Sequence, residues 1–300
     1  MSVRRPVRNR GSGVPTKESL IAKSSVSELS TIGSVLSRIV EIIREPDSSI
    51  SDLKNLIDVD PPLSAKVLRR ANSAYYGLRR AVLSIQEAIV FLGFRMLREI
   101  ALTLKAGKIF ESGMETGSYS RKELWKHSLS IALCAKNIYR KEFRQHGDDI
   151  YSAAILHDIG IMVIEQFAPE TFTGIINTVE EGHLCIEDVE KQLLGYNHAD
   201  IGMELAVRWN LPTEITKAIG YHHSPLRVTE EFAKPTMVIF VSDYICKTMG
   251  IGFHDSTASK EELYMKCLER LNLIPENIEI IADEVMEDLK TMEESGDLYS

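Results

Sequence analysis

Residues 150–164 form an apolar stretch interrupted at its centre by His157 and Asp158. Ionisable groups shut inside an apolar segment are costly unless they are paired, hydrogen-bonded or bound to a metal. This dipeptide therefore constrains any fold the chain adopts, and its partners must come from other segments of the same kind. His127 stands in WKHSLSIA, His198 in GYNHADIG, the pair His222–His223 in AIGYHHSP and Asp243 in VIFVSDYICK. A fold that buries these segments has to bring the polar groups together. Imidazoles and carboxylates make a mixed nitrogen and oxygen ligand set, which suits iron, manganese, nickel or zinc.

The surrounding pattern is helical nearly throughout, and the expected class is all-α. Ile32, Val35, Leu36, Ile39, Val40, Ile42 and Ile43 make an apolar stripe at helical spacing. Leu53, Leu56 and Ile57 face inward on a helix opened by Ser49 or Ser51. Asp60-Pro61-Pro62 marks a break and a new first turn. The helix after it is expected to run through LSAKVLRRANSAYY to near Gly77. Ser84 and Glu87 have capping-box spacing ahead of IQEAIVFLG, and Phe94–Thr103 continues the helical run. No alternating run with a hairpin turn appears.

These segments imply a domain order. Residues 1–16 are rich in Arg, Gly and Pro, with little to bury, and are expected to be disordered and dispensable for stability. Residues 17–106 make a smaller N-terminal helical lobe. Residues 107–120, with three glycines and three serines, read as the linker. Residues 121–275 make a larger helical lobe. Residues 276–300 hold an acidic amphipathic helix and tail, with Ile278, Ile281, Val285, Leu289 and Met292 on the face that packs against the chain's own domain.

A net charge of -8 argues against general nucleic-acid binding by the whole molecule. The charge is uneven: residues 1–120 carry a net +6 and the remainder a net −14, which suggests lobes with different partners or lobes that attract each other. Cys134, Cys185, Cys246 and Cys267 form no C-x-x-C pair and read as reduced core residues. The N-terminus lacks the apolar region of a signal peptide, and no apolar run approaches a membrane span of about 20 residues. The expectation is a cytoplasmic protein without membrane attachment.

LHDIG resembles the signature of the HD-domain superfamily of metal-dependent phosphohydrolases. The resemblance implies a minimal site of His127, His157, Asp158 and Asp243, and the dinuclear members imply His198, His222 and His223 as further ligands. Glu123 lies one turn before His127, where a related branch uses a glutamate, and is an additional candidate ligand. DPPLSAKVLRRANSAYYG, SIQEAIVFLGFRMLREIAL, WKHSLSIA, AAILHDIG and NHADIGMELAVRWNLP together are similar to the HDOD family, all-helical relatives of the HD hydrolases used mainly in bacterial signalling. That similarity covers roughly residues 16–250. It implies an HD-like helical lobe carrying a smaller N-terminal bundle.

Two departures bear on activity. The hydrolytic cyclic-dinucleotide branch has a lysine directly after HDIG, where this chain has Ile161, and a Gly-Tyr-Pro loop where this chain reads HHSPLRVTEE. A phosphate substrate needs cationic or N–H donors for its developing charge. The expected function is therefore a bacterial signal-transduction module that holds a mono- or dinuclear transition metal, iron favoured, and acts through contacts with signalling proteins. No residue is assigned to catalysis in that reading. The alternative is a metal-dependent phosphohydrolase acting on a nucleotide or cyclic dinucleotide, with Asp158 bridging the metals. Arg69, Arg70, Arg79 and Arg80 flank Tyr75 and Tyr76 and are candidates for binding a nucleotide.

Overall fold

A computed structural model describes residues 14–25, 27, 29, 33, 36–39, 41–42, 50–58, 61–73, 76–111, 113–295 and 298. Of the expected disordered tail, residues 1–13 lie outside the described residues, as do Ile32, Val35, Val40, Ile43, Ser49, Asp60 and Tyr75. Among the described residues the chain is all-α, with fifteen α-helices and one two-stranded hairpin.

The helices are α1 (Lys17–Ser24), α2 (Ile50–Asp58), α3 (Pro61–Ala71), α4 (Ile85–Leu92) and α5 (Phe94–Gly107). A short hairpin, β1 (Glu115–Thr116) and β2 (Tyr119–Ser120), leads into α6 (Arg121–Lys141), α7 (Asp148–Leu156), α8 (Ile159–Phe167), α9 (Pro169–Gly182) and α10 (Ile186–Leu194). The chain then forms α11 (His198–Arg208), α12 (Thr213–Tyr221), α13 (Glu230–Thr248), α14 (Glu261–Leu271) and α15 (Pro275–Glu294).

Helices α2 to α5 pack on one another as the N-terminal lobe. In the larger lobe α6 is central, flanked by α7, α13 and α15, while α12 packs on α7, α11 and α13. Eleven apolar side chains of α7 and α8 are buried inside this lobe; the stretch Asp149–Phe167 has the length and composition of a membrane span but is 89% buried in the protein. The face of α15 carrying Ile278, Ile281, Val285, Leu289 and Met292 is buried against its own chain.

Three features depart from the expected organisation. Helix α3 stops at Ala71 rather than near Gly77. Asn72 ends it: its side-chain N–H donates to the carbonyls of Leu68 and Val82, and its Oδ1 accepts from the Val82 N–H. A side chain that satisfies backbone groups in this way competes with the next helical turn. Helix α1 docks on α8 and α11 of the larger lobe, with Leu20, Ile21 and Ser24 buried, so it is not part of the N-terminal bundle. Residues 15 and 16 belong with it, since Thr16 caps α1 and the Pro15 carbonyl accepts a hydrogen bond from the Tyr196 hydroxyl.

Residues 107–111 and 113–120 are folded in place. Ile109, Phe110 and Tyr119 are buried, and the Glu165 carboxylate of α8 accepts the Met114 N–H at 2.7 Å and pairs with Arg121. The hairpin's two-residue strands are too short to show alternation in sequence. Its turn uses Gly117 at φ +54°, a left-handed conformation that glycine adopts without steric cost.

Candidate metal centre

Six helices deliver the seven polar residues to one point. His127 projects from the middle of α6 and Asp243 from α13. His157 and Asp158 form the junction between α7 and α8, His198 opens α11, and His222 and His223 follow α12. All seven are buried.

Asp158 is the centre of the arrangement, and its two oxygens face different groups. Oδ2 lies 3.2 Å from His157 Nε2 and 3.4 Å from His127 Nε2. Oδ1 lies 3.2 Å from His198 Nε2 and 3.4 Å from His222 Nε2. Asp243 Oδ1 completes the first group at 3.1 Å from His127 Nε2. His223 completes the second, its Nε2 at 2.7 Å from that of His198. The geometry thus divides the cluster into two ligand sets that share one carboxylate.

The backbone explains why the ring nitrogens point inward. His157 and His222 each occupy the C-cap of a helix, where the last carbonyls lack intrahelical donors. The Nδ1–H of His157 donates to the Ala154 carbonyl at 2.7 Å, and that of His222 to the Ile219 carbonyl at 2.6 Å. Each bond leaves Nε2 with its lone pair toward the cluster. The negative ends of α7 and α12 also face the site, which favours a cation there. His198 is held differently: the Glu190 carboxylate accepts from both its backbone N–H and its Nδ1–H, at 2.8 and 2.7 Å.

Close backbone packing sets the spacing. A Cβ on Gly160 would lie 1.9 Å from the His198 carbonyl oxygen, and one on Gly252 would lie 2.4 Å from the His127 nitrogen. Glycine is required at both places by contact.

His127 Nε2, His157 Nε2, Asp158 Oδ1 and Asp243 Oδ1 are buried without a well-aligned hydrogen bond. Unsatisfied donors and acceptors of these types, converging on one point, fit the requirements of a divalent metal. Electrostatics agree. Burial opposes charge on His127, but the Asp158 and Asp243 carboxylates outweigh it and push its pKa up to about 9. His198 is also raised, with burial outweighed by Glu190 and Asp158. Burial likewise opposes ionisation of Asp158 and Asp243. Asp158 is nonetheless held below the usual carboxylate range by His157 and its neighbouring imidazoles, and Asp243 by Lys247 and His127. His222 and His223 are lowered, chiefly by burial. Without a metal, the carboxylates thus retain protons on His127 and His198 as counter-charge.

This arrangement has a pH consequence for the metal-free protein. The His127 pKa is raised from 6.5 to about 9, so its stabilisation is complete below pH 6.5 and is lost as the pH rises through 9. Urea unfolding of metal-free protein should show a fall of roughly 3 kcal/mol between these limits. Metal-loaded protein should lack that fall, since a metal needs His127 neutral. A flat profile for the metal-free form would contradict the assignment.

The remaining candidates fall elsewhere. Glu123 is half-buried on α6 outside both ligand sets; its backbone carbonyl accepts the Phe253 N–H at 2.9 Å. Arg69 is exposed while Arg70 is buried. Arg79 and Arg80 are exposed, with Arg80 lying 4.8 Å from the centre of the Phe91 ring, so the four arginines do not converge.

Sequence reasoning missed the residues around the ligands. Lys247 pairs with Asp243 at 3.2 Å and with Asp255 at 2.8 Å. Asp255 Oδ2 accepts the Ile186 N–H at 2.6 Å, and Lys260 pairs with Glu187 at 2.6 Å. These bonds fasten residues 250–260 across the centre. The spacing of Lys247, one helical turn after Asp243, was a usable signal; Glu187, Glu190 and Asp255 read in sequence as ordinary surface acids.

The sequence profile of the HDOD domain matches residues 29–225. An uncharacterized protein of Treponema pallidum (strain Nichols) is 27% identical over 270 residues, covering 87% of this chain and 50% of that protein. The chain therefore spans about half the length of this relative. The crystal structure of an HDOD domain protein of unknown function from Geobacter sulfurreducens superposes with a TM-score of 0.78 at 28% identity, covering 94% of this chain and 98% of that one. A crystal structure from Shewanella amazonensis, at 19% identity and a TM-score of 0.68 over 94% of this chain and 98% of the other, shares the fold.

Proposed function

Because the chain belongs to the HDOD domain family, we propose that it is a signalling module that holds a transition-metal centre and acts through contacts with other proteins. The observation that carries this reading is enclosure. The cavity beside His223, Asp243 and Lys247 has a volume of only about 10 Å³, room for a water and not for a phosphoester. Ile161 is buried in the core, and Lys247 is engaged by two carboxylates. Neither is poised to receive a phosphate.

His127, His157, Asp158 and Asp243 would hold one ion, and His198, His222 and His223 the other, with Asp158 shared. Iron is favoured for this donor set, with manganese, nickel and zinc as alternatives. The metal would join six helices through side chains on them or at their ends, so its binding would add to the stability of the folded state by mass action. Glu190 orients His198, and the carbonyls of Ala154 and Ile219 orient His157 and His222.

The completeness of the ligand set favours a second reading, a phosphohydrolase of nucleotides or cyclic dinucleotides. A bound metal would then supply Lewis-acid polarisation of a phosphoryl group. Residues 250–260 would have to open to admit the substrate. Metal-loaded protein should show negligible turnover of cyclic dinucleotides and nucleoside phosphates. Measurable turnover abolished by Asp158→Ala would overturn the module reading in favour of the enzyme.

A further inference from the structure

The seven ligand candidates are not equally enclosed. His127, His157, His198 and His222 are fully buried, whereas His223 is 9% and Asp243 5% exposed. These two border the cavity of about 10 Å³, whose lining also includes Asp255, Ser256, Thr257 and Lys260. The cluster therefore approaches solvent behind the segment that joins α13 to α14.

That segment has two halves of different character. Ile251 and Phe253 are buried, and the Phe253 N–H donates to the Glu123 carbonyl at 2.9 Å, so the first half is packed against α6. Residues 254–260 place no apolar side chain in the core. Among the described residues, polar bonds to Lys247 and to the start of α10 hold this second half down. Lys247 Nζ lies 2.8 Å from Asp255 Oδ1, and Asp255 Oδ2 accepts the Ile186 N–H at 2.6 Å. The Cys185 thiol donates to the Ser256 carbonyl at 2.9 Å, and Lys260 pairs with Glu187 at 2.6 Å. A segment without buried apolar contacts opens at lower cost than the helices on either side of it.

Lys247 ties these bonds to the centre. Its ammonium also lies 3.2 Å from Oδ2 of Asp243, whose Oδ1 faces His127. One carboxylate thus serves the ligand set with one oxygen and the fastening with the other.

We propose that residues 254–260 are a gate through which metal ions enter and leave the centre, latched by the pairs Lys247–Asp255 and Lys260–Glu187. The gate rests on the metal reading above and adds to it the route and the residues that control passage. The seven ligands set how much metal is bound; the latch sets how fast it exchanges.

Mixing the zinc-loaded full chain with an excess of a chromophoric chelator reads the rate of release. Asp255→Asn removes the charge that holds Lys247 and leaves all seven ligands in place. Lys260→Gln breaks the second pair at a partly exposed position and serves should the first variant not fold. Each should bind zinc in parental amount and release it about tenfold faster or more. Lys266→Gln, which breaks an exposed pair on α14, should release zinc at the parental rate.

Opening is read separately on metal-free protein with N-ethylmaleimide, because Cys185 lies beneath the gate and is buried. Both latch variants should label Cys185 faster than the parent. Asp255 opposes ionisation of this thiol and Lys260 favours it, so the two substitutions change its charge in opposite senses, and a rise shared by both reads opening. No zinc bound by the parent at equilibrium would overturn the metal reading and the gate with it. Zinc bound in parental amount by the folded variants yet released at the parental rate, or Cys185 labelling that rises in one variant and falls in the other, would overturn the gate alone.

Discussion

Asp158→Ala is expected to empty both halves of the ligand cluster at once. The two oxygens of Asp158 face two different groups of imidazoles, so one substitution removes a ligand from each set. It also takes from His127 and His198 one of the two carboxylates that balance each, leaving Asp243 and Glu190. Removing one partner from buried ion pairs of this kind costs up to about 3–5 kcal/mol. Asp158→Asn separates the two contributions. An amide keeps the shape and one acceptor oxygen but loses the charge, so Asn should lose most of the metal as Ala does. If Asp158 were only a hydrogen-bond acceptor, Asn would retain much of the parental stability while Ala alone would be destabilised, by roughly 1–3 kcal/mol. Metal content and urea unfolding of both variants decide between these outcomes, and parental metal content in both would remove Asp158 from the site.

The second large effect is Gly160→Ala. The new methyl group would sit 1.9 Å from the His198 carbonyl oxygen, a backbone atom that cannot rotate away. Helices α8 and α11 would have to separate, at a cost of about 1–3 kcal/mol. Because His198 is the first residue of α11, the separation would also draw its ring from the cluster and reduce metal uptake. Gly174→Ala is the matched control. Nothing lies within 4 Å of its added methyl group, and it is in the interior of α9, so it should be neutral or stabilising by up to about 1 kcal/mol. Equal unfolding temperatures for the two variants would contradict this account of Gly160.

The ligand residues were legible because each breaks a local rule. A histidine or aspartate in the middle of an apolar run demands a partner, and His157, Asp158 and Asp243 stand in such runs, while His127 and His198 lie at the start of apolar helical segments. Their meeting point required the fold, since α6 and α13 are separated by more than eighty residues in the chain. Glu190 was not legible: its helix has alternating apolar and charged faces, and an inward carboxylate at position 190 has the same sequence appearance as its exposed neighbours. The arginines illustrate the reverse problem. Arg69 and Arg70 are adjacent in sequence, yet one helical step turns one outward and the other into the protein. The placement of α1 was hidden for a different reason. Its short apolar face, Leu20 and Ile21, specifies burial without specifying which lobe provides it.

Elemental analysis of protein purified without a histidine tag tests the central claim most directly. The two ligand sets predict a transition metal at one equivalent or more per chain, removed by Asp158→Ala and released with proton uptake as the pH is lowered. Less than about a tenth of an equivalent of any transition metal, with no uptake on reconstitution, would contradict it.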